Sequence, residues 1–409
     1  MKKLLAFGLA ATLSVAGMGV LAGCSEGSDD SDEGSITVGL IALHDSNSTY
    51  DKNFIDAMRE ACDNKGVELV IRTGIPENQT CYDTASDLVD QGCDVIFADS
   101  FGHEDFVLQA ARENPDVQFC HATGTKAHTE GVANFHNAFA SIYEGRYLAG
   151  VAAGMKLVEM HEAGKLQADN YDADGNIKIG YVGAYPYAEV VSGYTSFFLG
   201  AQSVVEEETE ISISMEVTYT GSWYDEAAER EGANTLIGRG AALISQHADS
   251  MGAPAACEAA GVPNVSYNGS TAEDCPNTFI VSSRINWVPY FEYMIDCVVN
   301  GEAIDTDWTG TIATGSVVLT EFGSAAAEGT AEKVAQVQAQ LEAGTLHVFD
   351  CSKFTVNGEH LTTYTADVNT DDAFTPDTEA IADGVFEEST HRSAPYFDVR
   401  IDGITELNS

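Results

Sequence analysis

Apolar residues fall along this chain in short, nearly continuous runs separated by stretches of helical period. Residues 36–43 (ITVGLIAL) read as a central parallel strand buried on both faces, and 67–71, 95–98, 117–121 and 132–135 as further strands. Between the first two, Phe54, Ala57, Met58 and Ala61 share one face and predict a helix over 51–64. Further helices are predicted over 81–91 and 104–114, the latter stopping before Pro115 because the residue before proline avoids helical geometry. The second half repeats the scheme. Strands are expected at 177–182, 211–218, 242–245 and 263–267, with helices from 189 to about 205 and over 226–237. Strand–helix alternation implies parallel sheets with right-handed crossovers, and two such halves make an α/β protein of two doubly wound lobes.

The stretch 134–154 (NFHNAFASIYEGRYLAGVAAG) joins the halves. Gly150 and Gly154 lie four apart beside Ala149, Ala152 and Ala153, giving one smooth helical face suited to close packing against a sheet.

Polar and aromatic residues recur directly after strands. They are Asp45, Asn47 and Tyr50, Ser100 and Phe101, Tyr187 and Glu189, Trp223, His247 and Asp249, and Asn268. Ligands of open α/β sheets bind at the carboxyl ends of strands, so two facing lobes would bring these tips to one cleft. Any one of Asp45, Ser100 or Asp249 could equally cap the next helix; recurrence in both halves carries the reading. Glycoside hydrolysis by Asp45 and Glu189 is conceivable, but nothing favours it over binding. There is no Gly-x-Ser-x-Gly, His-Glu-x-x-His or phosphate loop, and Gly180-Tyr-Val-Gly183 lacks the remaining dinucleotide-binding glycines. No two histidines stand at His-x-x-x-His spacing, so neither a metal nor a cofactor is expected.

Charge narrows the partners. With 64 acidic and 19 basic residues the net charge is −45. Nucleic acid and anionic membrane surfaces need Lys/Arg clusters, and none is present. The N-terminus has Lys2 and Lys3, an apolar run over 4–20, and then Leu21-Ala22-Gly23-Cys24. This resembles a bacterial lipobox, with residues 1–23 a signal peptide and Cys24 the acylated residue; a transmembrane anchor is the alternative. Residues 24–35 follow as an acidic tether expected to be disordered. The other eight cysteines suit either disulfides or buried thiols, and spacing cannot choose among pairings.

Five separated segments resemble one family in the right order: YEGRYLAG over 143–150, IGYVGAYP over 179–186, SWYD over 222–225, ISQHADS over 244–250 and NWVPY over 286–290. They are similar to the basic membrane protein (BMP, PnrA-like) family of substrate-binding lipoproteins of ABC importers. The resemblance, over about 36–400, implies a type I periplasmic-binding-protein fold of two Rossmann-like lobes joined by three hinge crossings. It divides the chain into 36–137 plus 269–284 for lobe 1, and 138–268 plus 285–409 for lobe 2, with hinges near 135–138, Asn268 and Ser283. It implies an extracytoplasmic, lipid-anchored binding protein, not an enzyme, that closes on a purine nucleobase or nucleoside and delivers it to a permease. Trp223 would stack on the base, with Asp45, Asn47 and Asn268 as polar partners. Nucleoside-binding members carry a lysine after a serine in the strand before Trp287. Here that stretch reads Ser282-Ser283-Arg284, which favours a nucleobase and leaves Trp287 as a second aromatic wall. A sugar is the alternative ligand, and an enzyme or adhesin reusing the fold a third reading. Residues 344–349 look like the family's closing strand, and 365–384 like an added surface segment.

Overall fold

The computed structural model describes residues 36–368 and 375–408. The expected signal peptide, Cys24 and the tether lie outside them. The first sheet is built from β1 (Thr37–Ile41), β2 (Glu68–Arg72), β3 (Val95–Ala98), β4 (Gln118–Ala122) and β5 (Phe135–Ala140). Between these strands run α1 (Thr49–Lys65), α2 (Gln79–Asp90), α3 (Glu104–Glu113) and the single turn α4 (Ala127–Glu130). The chain then crosses at Ser141 into α5 (Ile142–Glu162). The second sheet takes β6 (Ile177–Gly183), β7 (Ile213–Tyr219), β8 (Ile244–His247), β9 (Asn264–Tyr267) and β10 (Phe279–Ile285), connected by α6 (Ala188–Glu208), α7 (Glu226–Gly238) and α8 (Gly252–Ala260). From β10 the chain returns through α9 (Val288–Asn300) to β11 (Asp307–Gly310), then recrosses to β12 (Val317–Leu319) and α10 (Thr330–Glu342). Two short hairpins follow, β13 (Thr365–Ala366) with β14 (Thr378–Glu379) and β15 (Ile381–Ala382) with β16 (Val385–Phe386), before β17 (Ile404–Glu406).

Sheet order is β11-β5-β4-β3-β1-β2 in the first lobe and β12-β10-β9-β8-β6-β7-β17 in the second. Both sheets are parallel except where β12 runs antiparallel to β10 at an edge. Three crossings join them, as a type I periplasmic-binding fold requires. Their positions differ from those read in the sequence. Residues 135–138 lie inside β5, and Asn268 separates β9 and β10, which share the second sheet. The crossings fall at 141, 286–287 and 311–316. Strand 279–285, assigned by sequence to the first lobe, is therefore in the second sheet, and β11 is in the first. Buried parallel strands carry the same apolar signature in either sheet, so the pattern gives no address.

The glycine face of α5 meets a helix rather than a sheet. A Cβ at Gly150 would lie 2.1 Å from the Phe197 carbonyl oxygen of α6, and one at Gly200 would lie 2.1 Å from that of Tyr147. The helices touch backbone to backbone there. Residues 344–349 form no strand; β17 closes that edge by pairing with β7. The segment read as surface is partly core, since Ala366, Val368 and Ala380 are buried. All eight described cysteines are buried and unbridged. No helix among the described residues is long and apolar enough to cross a membrane.

Candidate functional site: the cleft between the lobes

A narrow cleft, about 360 Å³ with the open solvent at its mouth included, lies where the carboxyl ends of the strands of both sheets face one another. From the first lobe come Leu43 and His44 after β1, Tyr50 and Asp51 on the first turn of α1, Ser100 and Phe101 after β3, and Thr123 after β4. The second lobe contributes Glu189 at the start of α6, Trp223 after β7, His247 and Asp249 around the end of β8, and Tyr267 at the end of β9. Neither Lys nor Arg lines it. The lobes touch across the mouth: the Thr49 amide donates to the Asp249 carbonyl at 3.0 Å, and His44 and Tyr224 lie with ring centres 5.3 Å apart.

Local chemistry places each group. Ser48 caps α1 by accepting from the Asp51 amide, and its hydroxyl donates back to the Asp51 carboxylate at 2.6 Å. The His44 amide donates to the same carboxylate at 2.7 Å. Burial pushes the Asp51 carboxyl up, but hydrogen bonds from the His44 ring, Ser48 and the His44 amide outweigh it and hold it below its ordinary value. The Tyr50 hydroxyl donates to the Asp99 carbonyl at 2.7 Å, leaving the ring on the cleft wall. Burial, with Asp51, Glu229 and Glu189 nearby, raises the Asp249 carboxyl well above its ordinary value against the opposing pull of Arg146. Burial and the neighbouring Arg146 push His247 down to about 4, so its imidazole is neutral. Thr123 has φ +62°, a costly conformation for a β-branched residue, held by its amide donating to the Ala138 carbonyl.

Of the residues singled out in the sequence, Tyr50, Ser100, Phe101, Glu189, Trp223, His247 and Asp249 line the cleft together. Tyr187 stands just outside, half exposed, stacked on Tyr185 and 5.9 Å from Phe101. Three polar candidates are elsewhere. Asp45 and Asn47 are exposed, and Asp45 accepts from the Asn47 amide in a turn of its own. Asn268 is buried at φ +61° and borders an outer groove with Thr49, Asn53 and Arg284. Trp287 is a core residue, 1% exposed, stacked on Phe54 at 4.5 Å and on Phe291 at 5.9 Å. It begins the chain's second crossing, where the return into the first lobe turns the ring inward. Arg284, in the place of the expected lysine, donates to Asn53 on the outer side.

Sequence reasoning missed Leu43, His44, Asp51, Thr123 and Tyr267. Asp51 was read simply as the start of a helix, and Tyr267 as the last residue of a buried strand. Their position at strand tips was the available signal. Among the described residues no group of three or more His, Cys, Asp or Glu could hold a metal ion.

Comparison with known proteins agrees with this architecture. The family profile described as Bmp, ABC transporter substrate-binding protein PnrA-like, matches residues 39–344. A protein of Haloferax volcanii whose name assigns it, provisionally, to glucose binding by an ABC transporter is 32% identical over 262 residues, 64% of this chain and 60% of that one. A purine-binding protein of Brucella abortus is 30% identical over 235 residues, 58% of this chain and 60% of its own. An ABC transporter nucleoside-binding protein of Lactococcus lactis is 26% identical over 249 residues, 59% of this chain and 64% of its own. The matches thus span less than two thirds of these relatives' length. A solute-binding protein of Conexibacter woesei superposes with a TM-score of 0.59 at 21% identity, covering 76% of this chain and 98% of that chain, which shows the shared fold.

Proposed function

The chain belongs to the PnrA-like Bmp family of ABC transporter substrate-binding proteins, and on that premise we propose that it captures a purine nucleobase in the interlobe cleft for delivery to a membrane permease. The observation that carries the reading is the make-up of the cleft. Aromatic walls from Tyr50, Phe101, Trp223 and Tyr267 enclose a space edged by the carboxyls of Asp51, Glu189 and Asp249. A planar heteroaromatic ring gains about 0.5–1.5 kcal/mol from such stacking beyond its buried area. Its N–H groups give the acids the donors they need once water is expelled. An anionic or phosphorylated ligand would meet no counter-charge on the lining. The missing lysine removes one expected contact to a ribose, which favours the base over the nucleoside.

A sugar is the second reading. Hydroxyl groups also donate to carboxylates, pyranose faces also lie on aromatic rings, and one relative is named for glucose. Calorimetric titration with adenine, guanine, their nucleosides and a sugar panel separates the two. We expect binding of a base; sugar binding with no purine binding would overturn the proposal.

The protein is extracytoplasmic in this reading, and Cys24 anchors it to the membrane by lipid after cleavage of residues 1–23. Replacing Cys24→Ser is expected to release it into the soluble fraction. A variant that stays with the membrane would refute the anchor.

A further inference from the structure

Arg146, on α5, is fully buried, and no carboxylate of the described residues lies within ion-pair distance of it. Its one hydrogen bond to protein runs from Nη1 to the Gln246 carbonyl at 3.0 Å, leaving Nε and Nη2 without a protein partner. The guanidinium lies over the ring of Tyr267, 3.5 Å from its centre. On α6, Gly193 keeps the adjoining corner open: a Cβ there would stand 2.8 Å from His247 Nδ1 and 3.6 Å from Arg146 Nε. On the other edge of the imidazole, Nε2 is 3.2 Å from Glu189 Oε1.

We propose that Arg146 is a positioning residue of the cleft, which keeps the His247 proton on Nε2 and so holds the Glu189 carboxylate in place as an acceptor for the ligand. The chemistry follows from the two edges of the ring. A carboxylate only accepts, so the nitrogen facing Glu189 carries hydrogen and Nδ1 keeps its lone pair. A guanidinium only donates and is always charged, so a second proton at Nδ1 would place two buried cations side by side. Burial and Arg146 together hold His247 down to about 4 against the opposing pull of Glu189. The other titratable neighbours are Tyr267 of β9, with ring centres 4.5 Å apart, Tyr181 of β6, 5.9 Å from the guanidinium, and Asp249 two residues on. Through Tyr267 and Glu189 one buried cation sets two walls of the cleft. Without it, the imidazole takes up a second proton in mild acid and draws Glu189 into an ion pair, away from the ligand.

This role rests on the cleft being the ligand site, but its first test needs no ligand. In protein labelled with ¹⁵N histidine, the His247 ring, assigned by its loss in His247→Gln, is expected as the neutral Nε2–H tautomer from pH 5 to 8. Arg146→Met should raise its titration midpoint into that range, and Arg146→Lys, which keeps the charge, should restore neutrality. A wild-type ring protonated on Nδ1, or one titrating above pH 6, overturns the proposal even if Arg146→Met fails to fold; so does an unchanged titration in that variant. Where adenine binds, wild-type affinity should stay within about twofold between pH 5.5 and 7.5, and that of Arg146→Met should weaken about tenfold at the acid end. Absence of any purine binding would count against the ligand assignment alone.

Discussion

Trp223 and Trp287 both follow strands, and a sequence pattern cannot tell them apart. Trp223 is partly buried on the cleft wall, where its carbonyl accepts from the Asp249 amide. Trp287 is enclosed by Phe54, Phe97 and Phe291. Trp223→Ala is expected to cost roughly tenfold or more in ligand affinity, about 1.4 kcal/mol, and to leave the ligand-free melting temperature nearly unchanged. Trp287→Ala should cost about 3–5 kcal/mol of stability by chemical denaturation, because it opens a cavity between packed rings. A second pair of residues sets a pH dependence. Burial raises Glu388, hydrogen-bonded to Ser192 and Ser389, to about 7, and raises Glu229, held by the Ser250 amide, also to about 7. A carboxyl raised in the fold binds more protons folded than unfolded. Its contribution is complete below the unfolded value, about 4.3, and is lost as pH climbs through the folded one. Stability from these two acids should therefore fall between pH 5 and 7.5. Glu388→Gln is expected to flatten that slope in denaturant titrations, and a slope equal to that of wild type would contradict the assignment.

At the scale of elements, the contact between α5 and α6 depends on what is missing from it. With Cβ atoms absent at Gly150 and Gly200, each helix lies against a carbonyl of the other, and Gly154 repeats the approach, since a Cβ there would stand 2.7 Å from the Ala201 carbonyl oxygen. Gly150→Ala or Gly200→Ala must push the backbones apart, since no rotamer change relieves a clash with a carbonyl. The expected loss is about 1–3 kcal/mol, read as a lower denaturation midpoint with unchanged slope. Helix ends have local causes: Ser48 and Asp225 cap α1 and α7, and Gly66, Gly261 and Gly301 end their helices in left-handed conformation. The smooth face of α5 was legible in the sequence, but its partner was not. A stripe of small residues specifies a distance of approach and not the element approached.

At the scale of the molecule, the lobes also touch outside their three crossings. The Thr49 amide bonded to the Asp249 carbonyl, and Phe101 beside Tyr187, describe a closed arrangement with little room left for a ligand to pass. On the proposed function, ligand entry requires hinge opening at 141, 286–287 and 311–316, and ligand contacts to both lobes would favour closure. Saturation with the base identified by titration should contract the radius of gyration measured by small-angle scattering. Ligand at one hundred times its Kd should add about 2.7 kcal/mol to stability. Scattering that is the same with and without bound ligand would refute hinge closure.

Much of this protein is determined by local sequence. Apolar runs with helical patterns between them dictate two parallel sheets, and strand tips rich in acids and aromatic rings mark where the lobes form a cleft, because both signals arise within a few residues of chain. Seven of the twelve residues picked out at those tips line one cleft. Tertiary structure alone decided the rest. It put β10 in the second sheet and β11 in the first, since strand pairing joins residues far apart in sequence and buried strands look alike. It turned Trp287 into the core and left Asp45 in solvent while Asp51, six residues on, faces the cleft. It also placed Arg146, from the joining helix, behind His247 and Tyr267. A side chain's direction follows from how its element packs against the others, and that packing is settled only when the whole chain has folded.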